Sequence, residues 1–306
     1  MRIIDGFWDT TRLTRPTVLT FGKFDALHLG HQAVFQSVLD RARADDVDAA
    51  VLFLHPNPLK LIAPERCPAS LTSQSQKLRA FEEMGFDLVI VGRFDERLRE
   101  FPAEEFLARL VDAFRARVIA VGYSVRFGHG GVGDIDMLRG QADVLGYEAM
   151  AGEAHMCRGQ AISSTRIREA VAVGDFGLAE SMLGRPYLLT GEIVEGHQMG
   201  RELGFPTANV NYGDMQLPPD GIYAGYTHHD GQRTPSAVSL GKRPTFDGEQ
   251  LLLESYLLDF SGDLYGQEVE VELVERIRGQ EKFASVDELV TQIHEDVRRT
   301  REALAS

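Results

Sequence analysis

The chain has 306 residues, of which 43% are hydrophobic and 25% charged, the composition of a folded protein of about two domains. With 46 acidic and 32 basic residues its formal net charge is −14, which disfavours a general nucleic-acid binder. Two distant cysteines and the lack of a signal pattern or an apolar run of about 18 residues favour a cytoplasmic protein. We therefore expect neither a nucleic-acid partner nor a membrane partner.

Short apolar runs alternate with helix-like stretches through the first 184 residues. Strands are predicted at residues 17–21, 49–54, 87–91 and 117–121. Helices are predicted at residues 31–44, 74–84, 103–114, 166–173 and 176–182. This rhythm predicts an α/β domain in which helices cover both faces of a parallel sheet.

The rhythm changes near residue 185, which we take as the boundary between domains 1–184 and 185–306. Strands are predicted at residues 188–194, 222–228, 236–240, 251–258 and 269–277, with turn-forming residues between them. Closely spaced strands of this kind predict a small antiparallel barrel. Residues 285–304 then predict a C-terminal helix, with Ser285 as its N-cap.

The most distinctive motif of the first half covers residues 22–31, between a predicted strand and a predicted helix. It reads Gly-Lys-Phe-Asp-Ala-Leu-His-Leu-Gly-His. A helix N-terminus presents free N–H groups to a phosphate, and His28 and His31 could hydrogen-bond a polyphosphate there. The alternative interpretation is a helix start with two solvated histidines.

A second motif, Ile-Ser-Ser-Thr-Arg-Ile-Arg at residues 162–168, stands at another predicted helix start. Its hydroxyl groups cap a helix or donate to phosphate oxygens, and Arg166 and Arg168 offer bidentate contacts to phosphate. Alone, this motif indicates a capped helix with surface arginines. Together the two motifs resemble those of the HxGH nucleotidylyltransferases, which move a nucleotidyl group onto a phosphate acceptor. The resemblance implies catalysis by positioning and charge stabilisation, without a covalent intermediate.

Two further patterns have simpler explanations. Residues 128–133 fit the dinucleotide pattern G-x-G-x-x-G, but they come late in the domain and the expected acidic residue is missing. We predict instead a flexible loop that covers the nucleotide. Residues 228–231, His-His-Asp-Gly, contain metal-ligating side chains but predict a hairpin tip.

The glycine-rich segment of the second half spans residues 191–209. Its spacing permits a tight loop whose N–H groups cradle phosphates, although no Walker A sequence occurs. Thr207 and Asn209 are expected on one face of a strand, where neutral oxygens suit Mg²⁺. By composition alone, a loop-rich barrel segment explains the pattern nearly as well.

The same segment resembles the signature loop and Pro-Thr-Ala-Asn motif of riboflavin kinases. Further matching motifs follow in the family's order, at residues 220–225, 241–246, 253–260 and 263–266. With the two motifs of the first half, nearly the whole chain resembles the bacterial bifunctional riboflavin kinase/FAD synthetase family.

This resemblance implies that the second half phosphorylates riboflavin with ATP and Mg²⁺, and that the first half transfers AMP from ATP to FMN. It implies that Glu254 is the general base of the kinase, and that Thr207 and Asn209 hold Mg²⁺. The residues implied in adenylyl transfer are His28, His31 and Arg168. Those implied to bind nucleotides are Gly22, Phe24, Asp25, Gly30, Ser163, Ser164, Thr165, Arg166, Gly191, Gly196, Gly200, Arg201, Gly204 and Pro206. Those implied to bind flavin are Ser124, Phe127, Arg243 and Tyr256.

The sequence also departs from the family's usual motifs. In the first half the departures are Lys23, Ala26, Ser124 and Val125, and in the second half Arg243. Two alternatives therefore stay open. One is an active riboflavin kinase whose first half is weak or uses another acceptor, and the other is a non-catalytic flavin-binding regulatory protein.

Overall fold

The computed structural model describes residues 1–8, 12–195, 203–245 and 248–305. Its contacts divide the chain into two compact units, Met1–Ser164 and Thr165–Ser306. The sequence pattern predicts the boundary near residue 185 instead. The contacts of residues 165–184 assign them to the second unit. The first unit contains an open parallel sheet and the second a closed barrel.

The first unit is built on a six-stranded sheet in which neighbouring strands are parallel. Its strands are β1 (Arg2–Asp5), β2 (Thr17–Gly22), β3 (Asp48–His55), β4 (Leu88–Arg93), β5 (Ala116–Val121) and β6 (Glu148–Ala151). They follow the order β1-β4-β3-β2-β5-β6. The predicted parallel sheet is confirmed. The two edge strands, β1 and β6, were missed because both are short and largely exposed.

Helices connect and cover these strands. They are α1 (Leu29–Asp45), α2 (Leu59–Ile62), α3 (Gln74–Met84), α4 (Glu96–Arg99), α5 (Ala103–Asp112), α6 (Ile135–Gly140) and α7 (Ala142–Leu145). The start of α3 is fixed by a capping box between Ser73 and Gln76. A short hairpin, β7 (Met156–Cys157) and β8 (Gln160–Ala161), follows β6.

The parallel sheet is buried on both faces, as its continuous apolar strands predict. Alternate residues of β2 face opposite sides, so that Leu19 and Phe21 join one core cluster and Val18 joins the other. The first cluster includes Leu107 of α5, and the second includes Phe35 of α1. Packing on both faces holds the carboxyl ends of the strands in place.

The order of the strands reverses beside β2. From β2 the chain continues to β3 and β4 on one side, then crosses to β5 and β6 on the other. In open parallel sheets, ligands bind beyond the carboxyl ends of the strands at such a switch point. The segments 22–31 and 122–127 leave β2 and β5 at this position, so two of the predicted ligand-binding segments converge there.

The second unit contains α8 (Ser164–Val173), α9 (Phe176–Leu183) and a closed barrel of antiparallel strands. The barrel strands are β9 (Leu188–Val194), β10 (Ala208–Asn211), β11 (Gly221–His229), β12 (Gln232–Thr245), β13 (Gly248–Leu257) and β14 (Glu268–Arg278). They close in the order β10-β13-β12-β11-β14-β9. Helix α10 (Val286–Leu304) follows, and its N-cap Ser285 accepts the N–H of Glu288 at 3.2 Å. The predicted barrel, C-terminal helix and N-cap are confirmed.

The turn at residues 228–231 is the predicted hairpin tip. Asp230 and Gly231 both have positive φ and join β11 to β12, whose last pair is His229 with Gln232. In the part of the chain that the structure describes, no helix is both long and apolar enough to cross a membrane.

Two candidate active sites

The N-terminus of α1 places His28 and His31 side by side. His28 is the N-cap of the helix, and its Nδ1 accepts the backbone N–H of His31 at 3.2 Å. The two rings are stacked, with centroids 3.7 Å apart and planes inclined by 15°. Because Nδ1 of His28 is an acceptor, the neutral ring carries its proton on Nε2 and can donate it to a ligand.

Both imidazoles are kept in the neutral form. Burial is the main reason that the pKa of His28 falls from 6.5 to about 4, and the charge of His155 lowers it further. Burial also lowers the pKa of His31 well below its ordinary value, with smaller contributions from His28 and Lys77. Among the described residues, none hydrogen-bonds the buried Nδ1 of His31. Near neutral pH the pair can therefore offer hydrogen bonds but carries no positive charge of its own.

The turn before α1 is tightly constrained. Phe24 (φ 45°) and Leu27 (φ 49°) both adopt the left-handed region, which side chains disfavour. A Cβ on Gly22 would lie 2.9 Å from the buried Phe24 ring, so any side chain here would have to displace that ring. Asp25 Oδ1 accepts the N–H of Leu71 at 3.1 Å and so links the turn to the segment before α3. Gly22, Phe24 and Asp25 thus shape the turn that presents the two histidines.

A cavity of about 120 Å³ lies beside Gly30, between α1 and the carboxyl ends of β5 and β6. Its lining is largely apolar, with Ser37, Glu153 and His155 as polar members. A Cβ on Gly30 would lie 3.2 Å from the His28 ring and 3.7 Å from the Cβ of His155. His155 was not identified from the sequence, because its approach to Gly30 depends on the packing of segments distant in the chain.

The predicted flavin residues after β5 differ in their exposure. Ser124 is exposed, whereas Phe127 is only 6% exposed. The Phe127 ring packs edge-on against Phe21, with centroids 5.4 Å apart, and Val125 packs against the same core cluster. Phe127 is thus a core residue, and its role in flavin binding stays a prediction, as does that of Ser124.

Two of the sequence departures lie in the turn before α1. The side chain of Lys23 is exposed, and its carbonyl oxygen accepts a hydrogen bond from the ammonium of Lys77 at 3.0 Å. Ala26 is fully buried. Neither departure displaces His28 or His31 from the start of the helix.

Residues 128–133 form a short turn that is closed at its base. Phe127 and Gly133 exchange both backbone hydrogen bonds, at 3.0 and 3.1 Å, and the N–H of His129 donates to the carbonyl of Phe101 at 2.8 Å. A Cβ on Gly128 would lie 2.5 Å from the Cα of Ala103. Packing against α5 therefore explains Gly128 without a dinucleotide, and a nucleotide-covering role for the turn stays a prediction.

The second motif opens α8, as predicted. Ser163 precedes the helix, and Ser164, Thr165, Arg166 and Arg168 lie in its first two turns. Ile162 and Ile167 are buried, whereas the hydroxyl and guanidinium side chains are partly or fully exposed. The helix start is confirmed, and its contact with phosphate stays a prediction.

In the barrel, Asn209 of β10 lies directly opposite Glu254 of β13. Opposite residues of an antiparallel pair lie on the same face, with Cβ atoms about 4.5–5.5 Å apart. Val210 and Leu253, their neighbours, are buried, so Asn209 and Glu254 lie on the partly exposed side of the strands. Thr207 and Asn209 were predicted on one strand. Strand β10 contains Asn209, whereas Thr207 lies one position before it.

Aromatic rings extend this face. Tyr256 lies two residues along β13 from Glu254 and therefore on the same side of the strand. The Phe205 ring lies 5.5 Å from that of Tyr256 and 5.0 Å from that of His294 on α10, measured between centroids. Phe205 and His294 were not singled out from the sequence. The Phe205 ring is buried, whereas those of Tyr256 and His294 are partly or fully exposed, so the aromatic surface near Glu254 comes from Tyr256 and His294.

Models of two known families match the two halves of the chain. The riboflavin kinase model matches residues 183–304, and the FAD synthetase model matches residues 10–166. The chain belongs to the bifunctional riboflavin kinase/FMN adenylyltransferase family. The predicted family and the predicted pairing of the two kinds of domain are confirmed.

Curated members of this family are similar over nearly their whole length. The protein of that name from Escherichia coli K12 is 37% identical, over 99% of this chain and 97% of its own. The one from Pseudomonas fluorescens is also 37% identical, over 100% of this chain and 98% of its own. A solved structure from Streptococcus pneumoniae, described as a macrolide-efflux protein, superposes with a TM-score of 0.85. It is 30% identical and covers 98% of this chain and 99% of its own.

Part of the predicted nucleotide loop lies outside the described residues, namely Gly196, Gly200 and Arg201, and so does the side chain of Arg243. Gly204 (φ 88°) and Pro206 are exposed. Gly191 is buried in β9, where a Cβ would lie 2.3 Å from the carbonyl oxygen of Asn211 on β10. The close approach of these two strands explains Gly191 without a bound nucleotide.

Proposed function

We propose that the second unit phosphorylates riboflavin, with Glu254 as the general base. The observation that supports this most is the position of Glu254 directly opposite Asn209. The riboflavin 5′-oxygen would attack the γ-phosphorus of ATP, and the bond from that phosphorus to the bridging oxygen would break to release ADP. The hydroxyl proton would pass to Glu254.

Thr207 and Asn209 offer neutral oxygens for Mg²⁺, and Glu254 brings a carboxylate to the same face. These side chains are partly exposed, which suits a cation that keeps several waters and shares the phosphates of ATP. When bound, Mg²⁺ neutralises the negative charge of the phosphates. The chain itself would orient the ATP phosphates through Thr207 and Asn209 and place the riboflavin hydroxyl against Glu254.

The first unit, in the same proposal, transfers AMP from ATP to FMN. A phosphate oxygen of FMN would attack the α-phosphorus of ATP, and the bond from that phosphorus to the bridging oxygen would break to release pyrophosphate. The free N–H groups at the start of α1 and the Nε2–H of His28 would donate to the phosphate oxygens. The position of this turn at the switch point of the sheet supports the assignment.

The two proposed reactions form a sequence, because the FMN made in the second unit is the acceptor used in the first. Pure protein incubated with riboflavin, ATP and Mg²⁺, and in parallel with FMN, ATP and Mg²⁺, tests both by chromatography of the flavins. We expect FMN followed by FAD in the first mixture, and FAD in the second. FMN alone, with no FAD from supplied FMN, would mean that the first unit is weak or uses another acceptor. No product in either mixture would favour the flavin-binding regulatory protein.

A further inference from the structure

Lys77 is a buried lysine in the first unit, and no motif of the sequence pointed to it. It is 6% exposed, and with Phe81 it makes up the buried side of α3. Lysine is almost never buried to this extent unless its ammonium group has partners, because desolvation of the charge is costly. Its Nζ donates to the carbonyl oxygen of Lys23 at 3.0 Å and lies 5.3 Å from the centroid of the Phe53 ring.

The contact with Lys23 reaches the turn that presents the two histidines. That turn contains two residues in the left-handed region, Phe24 and Leu27, so it needs support from its surroundings. One support is the hydrogen bond from Leu71 to Asp25, and another is the hydrogen bond from Lys77 to Lys23. Both come from α3 or the segment leading into it.

The buried charge of Lys77 also acts on His31, whose ring lies 5.2 Å from that of Phe24, the residue after Lys23, measured between centroids. The titratable groups that act on the histidine pair are Lys77 from α3 and His155 from the segment after β6, besides the two rings themselves. Burial, followed by the charges of His28 and Lys77, lowers the pKa of His31. In a site of low dielectric, a fixed positive charge favours both a neutral imidazole and a bound polyanion.

We propose that Lys77 is a positioning residue of the adenylyl-transfer site, which holds the His28–His31 turn through the carbonyl of Lys23 and supplies fixed positive charge beside His31. This inference rests on the proposed function of the first unit. It predicts that Lys77 acts on FMN adenylylation and not on riboflavin phosphorylation.

The test compares Lys77→Met, Lys77→Arg and the control Arg139→Met, which removes one positive charge from an exposed position on α6. We expect Lys77→Met to lower the rate of FAD synthesis from FMN about 100-fold, since small misplacements of catalytic groups cost this much. Lys77→Arg should recover most of the loss, because it keeps the charge and a donor. Riboflavin phosphorylation by the same preparations should be unchanged in all three variants.

The second measurement is the titration of His31 in histidine-labelled protein by NMR, with the His31 ring signals assigned by their loss in His31→Asn. We expect the His31 pKa to rise in Lys77→Met and to stay as in the wild type in Lys77→Arg and Arg139→Met. A slower FAD synthesis with an unchanged His31 titration would overturn the proposal, because packing alone would explain it. An unchanged rate would also overturn it.

Two controls keep these outcomes distinct. If Lys77→Met fails to fold, as judged by the fluorescence of Trp8, the chain's single tryptophan, Lys77→Gln takes its place in both measurements. The double variant His28→Ala/His31→Ala tests the underlying assignment, because full FAD synthesis by that variant would refute the proposed site of the first unit whatever Lys77 does.

Discussion

Asn209 and Glu254 occupy directly opposite positions on the neighbouring strands β10 and β13. On its other side Glu254 is paired with Ser239 of β12, so three polar side chains form a row across three strands. The hydrogen-bond ladders fix this row, and the buried neighbours Val210, Leu253 and Ser255 anchor it. This register sets the carboxylate of Glu254, the proposed base, on the same face as the amide of Asn209.

Replacement of Glu254 by Gln should remove riboflavin phosphorylation and leave FAD synthesis from supplied FMN. Glutamine keeps the shape of the side chain but cannot accept the hydroxyl proton, and loss of a general base typically costs about 10²–10⁴-fold. Initial rates of FMN formation from riboflavin and of FAD formation from FMN, by chromatography, measure the two activities separately.

The matched control is Glu275→Gln, because Glu275 is an exposed strand glutamate on β14, which is not a neighbour of β10 or β13. It should retain the wild-type kinase rate. A kinase rate for Glu254→Gln within about threefold of the wild type would contradict the assigned base, since the expected loss is far larger.

Replacement of Asn209 by Ala should raise the Mg²⁺ concentration that half-saturates the kinase by about tenfold, equivalent to about 1.4 kcal/mol of binding free energy. The reason is the loss of one of the two neutral oxygen ligands proposed for the metal. A titration of kinase rate with Mg²⁺ at fixed ATP measures this. Asn211→Ala removes the next amide on the same side of β10 and should leave the titration unchanged. Equal shifts in both variants would point to a general effect on the strand.

The fold could be predicted from the sequence where burial is uniform. Strands β2 to β5 are almost wholly buried, so their apolar runs stand out, and the alternation of strand and helix predicted a parallel sheet. The exposed edge strands β1 and β6 carry no such signal. The order of the strands depends on contacts between distant segments, and the sequence pattern does not contain it.

The residues of the candidate sites that lie in local motifs could be predicted from the sequence. His28 and His31 were identified because their roles depend on local spacing at a helix start. Lys77, His155 and Phe205 were missed, because each reaches its site through packing of segments far apart in the chain. Gly128 and Gly191 were assigned to nucleotide loops, although the close approach of neighbouring backbone already requires them to be glycine.

The buried His28 should make the first unit less stable at acid pH. The unfolded ring, with a pKa near 6.5, binds a proton at pH 5, whereas the native ring, with a pKa of about 4, does not. The contribution of His28 to the free energy of unfolding is therefore complete above pH 6.5, and it is lost as the pH falls towards 4. At pH 5 the loss amounts to roughly 2 kcal/mol.

His28→Asn should remove the His28 part of this pH dependence and leave the part that His31 contributes, because asparagine keeps an N-cap oxygen and does not titrate. The measurement is urea unfolding at pH 7 and pH 5, followed by the fluorescence of Trp8, which packs against Phe7 and Phe101 in the first unit. The control His129→Asn removes an exposed histidine and should behave as the wild type. An equal loss of stability in His28→Asn and in the wild type would contradict the prediction.

The attachment of α10 to the barrel should depend on one buried ion pair. Arg278 of β14 donates to Asp296 of α10 through Nε at 2.8 Å and through Nη2 at 2.7 Å, and the two side chains are 11% and 6% exposed. Gln292 also donates to Asp296, at 2.9 Å. Removal of one partner leaves a buried charge without compensation, which typically costs 3–5 kcal/mol.

Asp296→Ala should therefore lower the free energy of unfolding of the second unit by about 3–5 kcal/mol. Its riboflavin phosphorylation should be lost at a lower temperature than that of the wild type. Asp259→Ala is the control, because it removes the exposed partner of Arg301, a pair of similar length in solvent, and should have little effect. Urea unfolding followed by circular dichroism reports both units, and Trp8 fluorescence reports the first unit alone, which should be unchanged in both variants. A shift seen only by circular dichroism therefore belongs to the second unit. If the two substitutions lower the free energy of unfolding equally, burial of the Arg278–Asp296 pair does not determine its contribution to stability.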